Sequence, residues 1–201
     1  MNTEMRTLEL KPDEIFSRFD PDSRRGLYYD LLLKENRKIN LVSRETSVSE
    51  LERLTAESLV PLTLLDVEVS EYLDIGSGGG IPSVPILLSG VIQGKTTLVE
   101  RTGKKAAALR RILMALGLDA RILKEPYETT SLSAGFDLIT MRLVKLTPRL
   151  LDRSLSLLAP QGLFVCFSRP SFDISSRNAT SYSYSLAGNE SPGVVTVFKK
   201  A

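Results

Sequence analysis

A chain of 201 residues with 42% hydrophobic content supports one α/β core with attached elements and is cramped for two independent domains. The absence of histidine excludes imidazole bases, histidine-based zinc sites and every Ser-His or Cys-His nucleophile, and a single cysteine excludes a disulfide within the chain. The formal charge of +2 hides an asymmetry: residues 1–69 carry ten basic against fourteen acidic residues and residues 70–201 carry sixteen against ten, a pattern that suits steering toward phosphate and that solvated surface charge also produces.

The first part reads as helical. Pro12-Asp13-Glu14 opens a short segment, and Ser23 is the expected cap of a helix from Arg24 to Asn36, with Leu27, Leu31 and the following leucines on the buried face. After the short segment Lys38–Ser43, a second long helix is expected from Ser49 to Leu65, with Leu51, Leu54, Ser58, Leu59 and Leu62 near one side. From Glu71 onward, short apolar runs alternate with helical stretches of the length a βαβ unit needs. Strands are expected at Tyr72–Ile75, Thr96–Glu100, Ala120–Leu123, Phe136–Thr140 and Leu163–Phe167, and helices at Pro82–Leu88, Lys104–Leu116 and Thr147–Leu158. Beyond Pro170 the helical pattern stops, and a Ser- and Tyr-rich stretch to Leu186, a Gly-Asn-Glu-Ser-Pro-Gly turn and a strand at Val194–Phe198 predict an antiparallel hairpin. The expected fold is therefore α/β, a Rossmann-like, mostly parallel twisted sheet (residues 70–201) with a C-terminal antiparallel hairpin and an N-terminal helical extension (residues 1–69). Cys166 falls in the apolar run Gly162–Phe167 and is expected to be buried. No apolar run reaches the length of a membrane span and acidic residues precede the first apolar stretch, so a cytoplasmic protein without membrane contact is expected.

The sharpest local pattern is Leu73-Asp74-Ile75-Gly76-Ser77-Gly78-Gly79-Gly80-Ile81-Pro82, where the first strand of the alternating region meets its helix. Glycines there let the backbone turn tightly and let a ligand approach the carboxyl edge of the sheet. A dinucleotide fingerprint requires glycine where Ile81 stands, which counts against a pyrophosphate ligand. Asp74, two places before the first glycine, suits a ligand that carries an amino group, as S-adenosylmethionine does. Glu100 ends the next strand, where a carboxylate can accept hydrogen bonds from both ribose hydroxyls of an adenosine. Glu128, in the loop after the following strand, either helps hold the adenine edge or is simply solvated.

Taken in order, Ile39–Ser43, Glu57-Ser58, Leu73–Pro82, Leu98-Val99-Glu100, Gly103-Lys104-Lys105 and Met141-Arg142-Leu143-Val144 resemble the bacterial RsmG family, also called glucose-inhibited division protein B, over Leu31 to Phe167. The resemblance implies a SAM-dependent methyltransferase fold, S-adenosyl-L-methionine as cofactor, and methylation of guanine N7 in small-subunit (16S) ribosomal RNA. It maps the cofactor loop onto Gly76, Ser77, Gly78 and Gly80, the ribose acid onto Glu100 and an adenine-side Ala-Glu pair onto Tyr127 and Glu128, and the ligand's amino group adds Asp74 to these. It maps the family's arginine after the fourth strand onto Arg142 and its Gly-Lys step onto Lys104, to which Lys105 and Arg169 are added as expected RNA contacts; no metal is expected, and the expected partner is small-subunit ribosomal RNA or a precursor ribosomal particle, met by a monomer. The departures fall on the RNA side: Arg53-Leu54 and Gly193-Val194 stand where the family has Arg-His pairs, Ser168 where it has a lysine, and Pro126 where it has an arginine.

Guanine N7 offers a free lone pair, so attack on a sulfonium methyl needs alignment and charge control rather than a base, which a chain without histidine can supply. Arg142 is the candidate that meets the guanine O6 edge, against the plainer alternative of a strand-end arginine paired with Asp137 or solvent. Lys104, Lys105, Arg110 and Arg111 are candidate phosphate contacts, with the solvated face of an amphipathic helix as the alternative for Arg110 or Arg111.

Overall fold

The computed structural model describes residues 5–64, 68–186 and 192–200. The chain runs β1 (Met5–Leu10), α1 (Pro12–Phe19), α2 (Arg25–Asn36), α3 (Val48–Leu64), β2 (Val69–Ile75), α4 (Ser83–Leu88), β3 (Ile92–Val99), α5 (Gly103–Leu116), β4 (Arg121–Leu123), β5 (Phe136–Met141), α6 (Pro148–Leu157), β6 (Leu158–Cys166), β7 (Ala179–Leu186) and β8 (Gly193–Lys199). Leu65, the expected end of α3, and most of the turn between β7 and β8 lie outside the described residues.

The eight strands form one sheet in the order β1-β7-β8-β6-β5-β2-β3-β4. Only β8 runs against its neighbours, paired antiparallel with both β6 and β7, so the expected hairpin closes that side of the parallel sheet. β1 was not expected: it pairs in parallel with β7, Met5 opposite Ser181 through Leu10 opposite Leu186, and becomes the edge of the sheet. The alternation Met-Arg-Thr-Leu-Glu-Leu is too short and too mixed to be told from an irregular lead-in to α1 without its partner strand.

Two-residue periodicity along the strands assigns the two faces. Tyr72, Leu138 and Val165 join the buried residues of α1 and α3 in one cluster, while Leu98 joins α2, α4 and α5 in another. Leu73, Ile75, Ile139, Met141, Phe164 and Cys166 face α6 on the other side. Cys166 is buried there, as expected from its sequence run. No helix links β4 to β5 or β6 to β7, and partly buried Phe172 and Ile174, from the segment after β6, help α6 cover this face.

The helix faces were only partly legible. In α2 the buried residues are Tyr28, Tyr29, Leu32, Glu35 and Asn36, and Leu27 stays 52% exposed; Glu35 is covered by Arg111 of α5 and Asn36 by the segment it bonds, Leu41–Ser43. Ser23 does not cap this helix; it holds a left-handed φ of 54°, and the Asp20 carboxylate accepts hydrogen bonds from the Arg24 and Arg25 amides instead (2.8 and 3.2 Å). Asp20 also pairs with the Arg25 guanidinium at 2.9 Å, so one buried acid anchors the helix start twice.

Candidate active site

The turn from β2 into α4 is tied to the next strand before any ligand is considered. The Gly76 and Ser77 amides donate to the Val99 carbonyl (2.8 and 3.1 Å), and the Gly80 amide donates to the Ser77 carbonyl at 2.7 Å. The glycines then divide by role. A Cβ on Gly76 (φ +75°) would lie 2.5 Å from Val144 Cγ2, one on Gly79 would lie 2.8 Å from Leu32 Cδ1, and one on Gly80 (φ +95°) would lie 2.4 Å from Val84 Cγ2. Gly78 (φ +52°) alone in the loop faces open space, with nothing nearer than its neighbour's carbonyl at 3.8 Å. Three glycines are therefore required by close packing, and one leaves room for a ligand.

Glu100 is buried at the end of β3 and is held by its own backbone, its amide donating to the Leu123 carbonyl at 3.0 Å. Its carboxylate reaches the glycine loop: Oε2 accepts from the Gly78 amide at 3.0 Å and Oε1 from the Thr102 amide at 2.7 Å. A carboxylate offers about four acceptor positions, so two bonds leave capacity for two hydroxyl donors. Gly78 and Glu100, far apart in sequence, thus share one corner at the carboxyl edge of the sheet.

That corner opens into a cleft of about 580 Å³, lined among others by Gly76, Glu100, Lys105, Tyr127, Glu128 and Leu143. It sits where open α/β sheets take ligands, outside the carboxyl ends of β2, β3 and β5. A larger cleft of about 660 Å³ lies at the amino-terminal halves of β3 to β5, between Lys95, Arg121 and Asp119. The glycine turn after β2 and the Glu100 carboxylate border the smaller one and not this one. Tyr127 is buried, its hydroxyl 3.1 Å from Ser154 Oγ and its ring under the Arg153 guanidinium, while Glu128 is exposed at the rim.

Asp74 lies behind the loop rather than on the cleft wall. It is fully buried, and Oδ1 accepts from Thr140 Oγ1 at 2.7 Å, itself 2.7 Å from the Tyr72 hydroxyl. Oδ2 has no partner among the described residues. Burial pushes this carboxyl from 3.8 up to about 6, against the opposing pull of the Thr140 hydrogen bond. Since the folded chain holds this proton more tightly than the unfolded one, stability falls as pH rises from about 4 through about 6 and the cost is complete above that. Asp74→Asn should therefore stabilise the ligand-free protein at pH 7.5 by about 1–2 kcal/mol, with the gain shrinking toward pH 4.5. Urea denaturation at the two pH values measures it; an equal difference at both would mean that the carboxylate is not desolvated.

The N-terminal helices brace this loop. The Tyr28 hydroxyl donates to the Gly79 carbonyl at 3.0 Å. Asn36 ties down the segment Ile39–Ser43, with Oδ1 accepting from the Leu41 and Val42 amides (2.8 and 3.1 Å) and Nδ2 donating to the Ser43 carbonyl at 3.2 Å. Leu41 then lies against Gly79, its Cβ 3.1 Å from where a Cβ on that glycine would be. The motif at 39–43 is thus a support for the glycine turn, and Asn36, which carries it from five to seven residues away, escaped sequence reading because it read only as the last residue of its helix.

The basic candidates separate. Lys105 lines the cleft, and Lys104, one residue earlier on α5, is exposed and off its wall. Arg111 is not directed at a ligand: its guanidinium forms two bonds to Glu35 of α2 (2.6 and 3.2 Å), joining α2 to α5, and Arg110 is exposed. Arg169 is exposed in the segment after β6, also off the cleft wall. Arg142 follows β5 directly and is 11% exposed. It pairs with neither Asp137 nor solvent: Asp137 accepts the Ser70 and Glu71 amides at the other end of the strand, and Arg142 Nη2 donates to Glu57 of α3. Glu57 also receives Arg53, and the Arg142 guanidinium lies 5.4 Å from the Phe167 ring centroid. Arg142 Nη1 is buried and has no hydrogen-bond partner among the described residues. Arg101, Leu143 and Lys145 also line the cleft; Leu143 stood inside a recognised motif without a role of its own, and Arg101 and Lys145 stood beside motifs.

Among the described residues no helix is long and apolar enough to cross a membrane, and no group of His, Cys, Asp and Glu is arranged to hold a metal.

A family model described as rRNA small subunit methyltransferase G matches residues 24–185. A ribosomal RNA small subunit methyltransferase G from Pelagibacter ubique is 32% identical over 149 residues, 70% of this chain but 65% of the relative's own length. One from Chlorobium phaeobacteroides is 28% identical over 195 residues, 96% of this chain and 84% of the relative. With the first of these the chain spans less than two thirds of the relative. Among solved structures, an O-methyltransferase from Bacillus cereus in complex with SAH superposes with a TM-score of 0.66 at 15% identity, covering 94% of this chain and 96% of that one.

Proposed function

Because this chain belongs to the rRNA small subunit methyltransferase G family, we propose that it transfers the methyl group of S-adenosyl-L-methionine to N7 of a guanine in small-subunit (16S) ribosomal RNA, free or in a precursor ribosomal particle. The observation that carries the cofactor is the corner where Gly78, with open space at its Cα, is joined to a half-used Glu100 carboxylate on the cleft wall. The residues present fit the group. Glu100 has acceptor capacity left for ribose hydroxyls, Tyr127 and Glu128 line the same cleft where they would flank an adenine, and Asp74, buried behind the glycine turn, would act on an ammonium group only through that turn. The sulfonium, when bound, supplies an electrophilic methyl.

The chain's own part is to orient and to compensate charge. Lys105, Arg101 and Lys145 put cations around one cleft, where they can hold RNA phosphates. Arg142, anchored by Glu57, holds a buried Nη1 without a partner among the described residues; uncovered as the base seats, it would donate to the guanine O6 edge, leave N7 free and compensate the charge that moves onto the purine. No step requires proton removal by the protein before attack.

The test is transfer of labelled methyl to deproteinised 16S ribosomal RNA and to small subunits, with the product mapped as N7-methylguanine. Transfer that falls with added salt is expected, since phosphate contacts release counterions. A second reading, a divergent methyltransferase of the same lineage acting on another RNA site or a small molecule, draws on Arg53: it pairs with Glu57 and Glu50 and does not line the cleft. Methyl transfer to another position would favour that reading. SAM uptake with no transfer to any RNA would leave a binding protein.

A further inference from the structure

Leu143 is 98% exposed, the most exposed of the large hydrophobic side chains among the described residues, and it holds a left-handed backbone with φ 58°. Only Ser23 and Gln161 share that conformation among the described residues other than glycine. Both features work against folding: a non-glycine residue in this region costs about 1–2 kcal/mol, and a leucine in water gives up the gain of burial. The packing demands the turn but not a leucine in it. The turn after β5 has to bring Val144 onto Gly76 and Leu146 into the core under α6, and a glycine at 143 would make the same turn without strain. The side chain that results lines the cleft one residue after Arg142, which itself is off the wall, in the company of Arg101, Lys105 and Lys145 and of Glu100, Glu125 and Glu128. An apolar knob with cations beside it can take a nucleotide, with the base face against carbon and the phosphate on Lys105, Arg101 or Lys145.

We propose that Leu143 is a substrate-positioning contact, pressing on the face of the RNA base presented to Arg142. This rests on the RNA methyltransferase reading above. The held backbone conformation fixes where the side chain points, so the base meets it without a loop having to order first.

The test uses Leu143→Asn, whose short polar side chain tolerates the same backbone, and Leu143→Met, which restores apolar contact. Methyl transfer to 16S ribosomal RNA is measured under subsaturating RNA, alongside the SAM dissociation constant by calorimetry and the thermal midpoint. Leu143→Asn is expected to lower kcat/KM for RNA about tenfold, in line with the loss of one buried leucine contact. SAM affinity should stay at the wild-type value, the thermal midpoint of Leu143→Asn should be at or above it because asparagine relieves the backbone strain, and Leu143→Met should recover most of the rate. An unchanged kcat/KM in Leu143→Asn overturns the proposal. So does a parallel loss of SAM affinity, which would make Leu143 a cofactor contact. Absence of RNA methylation by the wild-type protein instead sinks the functional reading, and this inference with it.

Discussion

Arg142→Ala is expected to lower the rate of methyl transfer by about a hundredfold or more with little change in SAM affinity, if its guanidinium meets the purine as charge develops there. The substitution also has a structural cost. Glu57 is buried and receives both Arg53 and Arg142, so alanine removes the more buried of its two partners and leaves the charge held only by a partly exposed one. Removing one side of such a pair destabilises by about 3–5 kcal/mol in unfavourable cases. Catalytic and structural loss are separated by Glu57→Gln, which weakens the same pair and leaves Arg142 in place. Should the rate follow the thermal midpoint equally in both variants, Arg142 is a brace for α3. Should Arg142→Ala remain folded, bind SAM and still transfer methyl at the wild-type rate, its role at the substrate edge is wrong.

Glu100→Ala should weaken SAM binding by more than tenfold. Charged hydrogen bonds contribute about 1.5–3 kcal/mol each, and two are expected between this carboxylate and a ribose. The structure adds a second reason. Both carboxylate oxygens already hold backbone amides, of Gly78 in the glycine turn and of Thr102 at the start of α5, so alanine also leaves the two walls of the cleft unjoined. Glu100→Gln keeps one strong acceptor and should lose less. Calorimetry with SAM or its demethylated product is the measurement, and wild-type affinity in the alanine variant would take Glu100 out of the site.

The glycine turn and its acid were legible because each rests on short-range chemistry. A turn that tight at a strand end needs glycine, and a strand that ends on a lone carboxylate presents it at the sheet's carboxyl edge. Reading went wrong where a residue's partner is remote. Ser23 has the right chemistry for a helix cap, but Asp20, nearer the turn's geometry, takes both amides. Leu27 has the right spacing for a core residue, but the core meets the Tyr28–Leu32 face of α2. Arg111 looked available on an amphipathic helix until Glu35 of α2 was placed across from it.

By itself the sequence determined the alternation of strands and helices, the antiparallel hairpin at the end, the burial of Cys166 and the meeting of the glycine turn with Glu100, all consequences of periodicity and of backbone demands felt within a few residues. Only the tertiary structure decided that β1 would extend the sheet, that the N-terminal helices would brace the glycine turn through Tyr28 and Leu41, and that Arg142 would lean on Glu57. Those outcomes depend on which distant surfaces meet, and a hydrogen bond or ion pair between elements gains its energy only once both partners have been brought out of water together.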